Sequence, residues 1–145
     1  MPEELQSEAG GFYVRAGHPL SRRTSVSMKQ IWTHGVLSVR LPVAVGGVLC
    51  RMLGIDSSEK LSLALECDDV SLLKSTALEC DSVLAATHAA VAQEVAEGRL
   101  QALKIAGLPH LATEVGMVTL RGRTPSPMAE LIISRLPPMR SMTAP

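Results

Sequence analysis

The chain has 145 residues, fourteen of them basic and fourteen acidic, so its net charge is zero and no long-range field draws it to nucleic acid or to an anionic membrane. One Trp, one Tyr and one Phe leave no aromatic platform on which single-stranded bases could stack. The length suits one domain with a proper core and is short for two domains of usual size.

No apolar run reaches the ~18 residues of a membrane span. The start, MPEELQSEAGG, has neither the basic end nor the apolar core of a signal peptide, so a cytoplasmic location is expected. Cys50, Cys67 and Cys80 are odd in number and contain no CxxC pair, which argues against a zinc or redox motif. With residues 69–79 helical, Cys67 and Cys80 stand about 16 Å apart at ~1.5 Å per residue, beyond disulfide reach. All three read as reduced, largely buried thiols.

In chain order, Phe12, Tyr13 and Val14 form a short strand that stops at Gly17-His18-Pro19, because Pro19 biases His18 away from the helical region. Ser27 and Gln30 have capping-box spacing and open a short helix that ends before Gly35. Val36–Val39 read as the next strand, broken by Arg40-Leu41-Pro42. Val45, Val48, Leu49, Met52 and Leu53 then make the apolar stripe of a helix stopping at Gly54. Gly46 and Gly47 lower its propensity but allow a close approach.

The most legible stretch is Leu61–Leu100, which reads strand, helix, strand, helix. Leu61, Leu63 and Leu65 alternate as in a strand, and Asp68-Asp69 precede Val70, Leu73 and Ala77 at helical spacing. Ser82–Ala86 is the next strand; Val91, Ala92, Val95 and Ala96 share a helical face closed by Gly98. Beyond it, Leu103–Ile105 and Val115–Leu120 are strand-like, and Ser126 caps a last helix with Pro127 at its first position. Strands alternating with helices predict an α/β fold with a mainly parallel sheet covered on both faces, a three-layer α-β-α arrangement.

Ligands of such sheets bind outside the carboxyl ends of the strands, where helix N-termini present free amides. Three strand ends qualify: Arg40-Leu41-Pro42-Val43, Glu66-Cys67-Asp68, and Ala86-Thr87-His88. The amides after Pro42 and Thr87, the Thr87 hydroxyl and Arg40 could receive a carboxylate or phosphate; equally, Thr87 and Asp68 could simply cap their helices. Glu66, Asp68 and Asp69 together suggest a cation site, yet acidic residues in a first turn commonly serve the helix dipole. His18, His34, His88 and His110 lack ligand spacing and read as turn or surface residues, His88 at a strand end being the exception to watch. There is no GxSxG, Walker loop or GxGxxG. No catalytic residue, metal site or cofactor is therefore assigned, and the chain is read as not an enzyme.

Taken together, Gly11-Phe-Tyr-Val-Arg-Ala-Gly-His-Pro-Leu20, the Glu66–Leu100 core with its Val-Ala-Gln-Glu-Val-Ala-Glu-Gly-Arg-Leu ending, and Arg121-Gly-Arg-Thr-Pro-Ser-Pro127 resemble the effector-binding domain of LysR-type transcriptional regulators. The resemblance implies a periplasmic-binding-protein-like fold of two α/β subdomains with a small effector, often an organic acid, between them. On this chain, residues 16–112 would be the second subdomain, 1–15 and 114–121 the crossover strands, 126–136 the last helix of a partial domain spanning 1–136, and 137–145 a flexible tail. The family's effector contacts map to Arg40–Val43, Glu66–Asp68 and Thr87-His88. DNA would be reached only through a helix-turn-helix domain that this sequence lacks, so the chain is expected to be a fragment or truncated form, and to self-associate. Where the family often has Gly and Pro, this chain has Asp81 and Thr87. The alternative is a stand-alone α/β solute-binding or enzymatic domain.

Overall fold

The computed structural model describes residues 5–56, 61–117, 120 and 122–136. Its elements are β1 (Leu5–Arg15), a 3-10 turn (Pro19–Arg22), α1 (Met28–His34), β2 (Val36–Ser38), α2 (Val43–Leu53), β3 (Leu65–Glu66), α3 (Val70–Glu79), β4 (Val83–Thr87), α4 (His88–Ala96), β5 (Leu100–Ala102), β6 (Ala112–Gly116) and α5 (Pro127–Arg135). The chain divides into two compact units: Ala9–Thr113, and the segments on either side of it. The tail expected to be flexible, and part of the strand expected at Val115–Leu120, lie outside the described residues.

Within Ala9–Thr113 the sheet order is β3-β2-β4-β1-β5. β2 pairs in parallel with β3 and β4, while β1 runs antiparallel to both β4 and β5. Four of these five strands thus point one way, and β1 enters between two of them from the opposite direction. Successive strand residues face opposite sides, and the core divides accordingly. Phe12, Val14, Val36 and Val83 pack with Ile31 of α1 and Leu49 of α2 on one face. Tyr13, Leu37 and Leu84 pack with Leu73 and Ala77 of α3 and Val91 of α4 on the other. Helices therefore cover both faces of the sheet.

The helix starts follow their capping chemistry. Ser27 Oγ accepts from Gln30 N at 3.2 Å while Gln30 Oε1 accepts from Ser27 N at 2.9 Å, the reciprocal pair that the spacing predicts. Asp69, not its neighbour Asp68, caps α3 by accepting from Leu72 N. Ser126 caps α5, with Pro127 at its first position. Gly98 takes a positive φ of 72° after α4, as expected of a helix-terminating glycine.

Strand lengths depart from the reading of the sequence. β1 extends over eleven residues, beyond the Phe12–Val14 read from the residues themselves and inside the 1–15 range that the resemblance implies, because the small residues Gly10 and Gly11 fit beside β4 and continue the ladder. The Leu61–Leu65 alternation yields a two-residue strand; Leu61 and Leu63 pack on the first core, but β2 is only three residues long and limits the partner available. β5 forms at Leu100–Ala102 instead of Leu103–Ile105, since the Gly98 turn delivers buried Leu100 straight opposite Arg15. His18 is also a correction: expected at a turn surface, it is 1% exposed. Its Nδ1 accepts from Leu20 N at 3.0 Å and its Nε2 donates to the Asp81 carbonyl at 2.7 Å. All three cysteines are free, Cys50 buried and Cys67 and Cys80 half-buried.

Candidate functional site

β2 and β4 are in parallel register at Val36↔Val83, so their carboxyl ends, Ser38 and Thr87, open on the same side. β1 places Gly10 opposite Thr87, and Gly10 N donates to the Leu111 carbonyl at 2.8 Å. These segments, with the Leu41-Pro42 entry to α2, enclose a pocket of about 90 Å³. Phe12, Leu41, Val45 and Leu49 supply apolar walls, and Ser38, Thr87 and Thr113 supply hydroxyls. The volume is small beside the ~300–1,000 Å³ of typical ligand sites.

Three features give the pocket polarity. Ser38 is 1% exposed and lines the cavity, so its hydroxyl belongs to the pocket wall. The N-cap of α2 is Pro42, which provides no side-chain acceptor for the first-turn amides, so those donors remain to be met by something else. Thr87 Oγ1 accepts from Ala90 N at 3.3 Å, which leaves its own proton to donate. No ionisable side chain lines the pocket. Its positive character comes from the helix terminus, and its lining contains no group suited to general acid–base work.

The nine residues singled out from the sequence are only partly brought together. Leu41, Pro42 and Thr87 line the pocket. Arg40 is exposed beside it, and the Val43 side chain is 90% exposed, leaving only its amide at the helix start. Glu66 and Asp68 are exposed at the end of β3, and Cys67 packs against the second core; none of the three is a lining residue. His88 is held elsewhere: its Nδ1 is hydrogen-bonded to the Tyr13 hydroxyl, with the rings edge-on at 5.8 Å. Tyr13 belongs to the α3–α4 face of the sheet, whereas Phe12 and Leu49 of the pocket belong to the α1–α2 face. Burial raises the Tyr13 phenol above its usual range.

Residues that the sequence did not single out are Gly10, Gly11 and Phe12 of β1, Ser38, and Leu111–Thr113. Adjacent glycines next to a strand were the available signal, because they mark a place where other groups come close. A Cβ on Gly11 would lie 3.4 Å from both His88 Cε1 and the Tyr13 hydroxyl.

Among the described residues, ion pairs lie away from the pocket at Arg15–Asp81, Lys74–Glu94 and Arg99–Glu97. Arg15 binds Asp81 through Nη2 at 2.6 Å and Nε at 3.0 Å, which holds the Asp81 carboxyl below its ordinary range. Lys74 Nζ sits 2.8 Å from Glu94 Oε1 and donates to the Ala90 carbonyl at 3.1 Å, tying α3 to α4. The Lys74 hydrogen bond keeps Glu94 below its usual range, while Glu94 Oε2 is buried without a partner. Among the described residues no three His, Cys, Asp or Glu side chains gather to hold a metal ion, and no helix is long and apolar enough to cross a membrane.

A sheet covered by helices on both faces, with a pocket at the strand ends, defines a ligand-binding α/β domain of periplasmic-binding-protein-like fold. The chain belongs to the LysR substrate binding domain family, which matches residues 3–138. It is 33% identical over 129 residues to the SDS degradation transcriptional activation protein of Pseudomonas sp. (strain ATCC 19151), covering 87% of this chain and 41% of that protein. Among solved structures, the effector binding domain of QuiR in complex with shikimate superposes with a TM-score of 0.65 at 10% identity, over 92% of this chain and 62% of that one. The Synechocystis PCC6803 CcmR regulatory domain in complex with 2-PG superposes with a TM-score of 0.61 at 17% identity, over 92% and 67%. At those identities the structural likeness establishes the fold alone. The chain thus spans less than half of the curated relative it matches.

Proposed function

We propose that this chain is the effector-sensing part of a LysR-type transcriptional regulator and that its pocket at the ends of β2 and β4 receives a small acidic molecule. The observation that carries the reading is the first turn of α2, whose N-cap Pro42 offers its amides no side-chain acceptor, opening on a pocket that Thr87 and buried Ser38 also line. Uncapped amides beside hydroxyl-bearing walls in an apolar cavity favour an oxyanion, since the helix dipole and the amides both stabilise negative charge there. Thr87 donates the further hydrogen bond, Leu41 and Pro42 shape the wall, and Arg40 adds attraction at the mouth. The shikimate and 2-PG bound by the QuiR and CcmR domains support an acidic ligand. In this reading the chain is cytoplasmic and not an enzyme. DNA is contacted by a helix-turn-helix domain and not by these residues. Glu66, Cys67, Asp68 and His88 contribute scaffold, and the chain self-associates through exposed apolar residues of α5.

The test is isothermal titration of the 145-residue chain against a panel of small carboxylic and phosphate acids. Thr87→Asp keeps a good N-cap for α4 but sets a charge against the ligand. One acid is expected to bind with 1:1 stoichiometry and to lose affinity in Thr87→Asp and Ser38→Ala. Binding that neither substitution weakens would place the ligand elsewhere and sink this reading.

A further inference from the structure

A second cavity, of about 240 Å³, lies at the outer edge of β5, between Ser21, Arg23 and Thr24 on one side and residues 101–104 on the other. It arises from how the chain leaves the sheet. Val26 N donates to the Lys104 carbonyl at 2.9 Å and Ala106 N to the Val26 carbonyl at 3.2 Å, which makes a single parallel rung at Val26↔Ile105. Ahead of that rung, residues 21–24 stand off from the edge.

β5 is paired on its other side with β1 at Val14↔Gln101, and Leu103 N donates to the Phe12 carbonyl. In an antiparallel ladder alternate residues turn their backbone groups outward, so Ala102 presents its N–H and carbonyl to the gap. The walls are tied in place. Gln101 Nε2 donates to the Ser21 carbonyl at 3.0 Å, and Ser21 Oγ to the His18 carbonyl at 2.6 Å, His18 itself being buried.

Two cationic side chains, Arg23 and Lys104, line this gap, and neither has an ion-pair partner among the described residues. No acidic side chain is in the lining. In a chain with zero net charge, two unpaired cations facing one cavity form a local positive site.

We propose that the β5-edge groove binds a small oxyanion, a carboxylate or a phosphate, between the Arg23 guanidinium and the Lys104 ammonium, with Ala102 N–H and the Thr24 hydroxyl as neutral donors. Charge-assisted hydrogen bonds from Arg and Lys are the strong members of such a set, and Arg meets an oxyanion in two-point geometry. The site shares no residue with the pocket at the ends of β2 and β4, so it stands independently of the effector reading above.

The experiment is an amide-shift NMR titration of the 145-residue chain with inorganic phosphate and, separately, citrate, each against sodium chloride at matched ionic strength. Saturable shifts are expected at the Thr24, Ala102 and Lys104 amides, unaffected by Thr87→Asp and weakened about tenfold or more in R23A/K104A, the loss expected when charge-assisted contacts go. Both side chains are exposed, and an otherwise unchanged spectrum reports that the variant folds. Saturation by citrate alone assigns the site to carboxylates, and saturation by phosphate alone to phosphates. Shifts that chloride reproduces, or saturable shifts that persist in R23A/K104A, overturn the proposal.

Discussion

Gly35 illustrates how one residue positions the pocket. It follows α1 with a φ of 84°, and a Cβ built there would approach the Ala64 Cβ to 3.0 Å, so the α1–β2 turn needs a residue without a side chain. Gly35→Ala is expected to lower stability by about 1–3 kcal/mol, the usual cost of a strained backbone position, read as a drop in urea midpoint. Thr87 has two roles that separate by substitution. Thr87→Ala removes the α4 cap at a cost of about 1 kcal/mol, whereas Thr87→Asp should leave the urea midpoint nearly unchanged while abolishing acid binding. His18 was misjudged at this scale. The Pro after it correctly announced an extended residue, but burial depends on β4 bringing the Asp81 carbonyl within 2.7 Å of Nε2, a contact across sixty-three positions that no local pattern encodes.

Among the described residues, the Lys74–Glu94 pair between α3 and α4 is the most buried of the ion pairs. Because Glu94 is held below its ordinary range, the unfolded chain binds its proton first as pH falls. The stabilisation is complete above the ordinary glutamate range near ~4.3 and is lost as pH drops through the lower folded value. Asp81 and Glu97 are lowered in the same direction, so acid unfolding alone does not isolate Glu94. Lys74→Met does. It should cost about 1–3 kcal/mol at neutral pH by leaving a buried carboxylate without its donor, and should flatten part of the decline in urea midpoint as pH falls through and below the ordinary glutamate range. On α5, Met128, Leu131 and Ile132 are 65%, 51% and 56% exposed. If that face mediates self-association, replacing all three by Ser should shift sedimentation velocity toward monomer, and an unchanged distribution would remove α5 from the contact. The helices themselves were legible because a cap residue and a 3.6-residue apolar period are local signals. The full length of β1 and the position of β5 were not legible in local residues, since ladder length depends on what lies alongside.

For the molecule as a whole, a ligand that binds only the folded chain raises its stability by RT ln(1 + [L]/Kd), about 2.7 kcal/mol at a hundredfold excess over Kd. An acid that binds the pocket should therefore raise the thermal midpoint of the wild type and leave Ser38→Ala nearly unmoved, as followed by circular dichroism at 222 nm. The alternation of strands with capped helices was enough to set the α/β class of the chain, because it rests on spacing along the backbone, and the order of motifs from Phe12 to Pro127 carried the resemblance to the family. The composition of the pocket was decided only in three dimensions. Leu41, Pro42 and Thr87 reach it from strand ends that the sequence marks, but Gly10 and Phe12 arrive because β1 threads antiparallel beside β4. The same alternation of faces turns His88 toward Tyr13 and the α3–α4 side. Which face a strand residue occupies follows from pairing register, and register is a property of two distant segments at once.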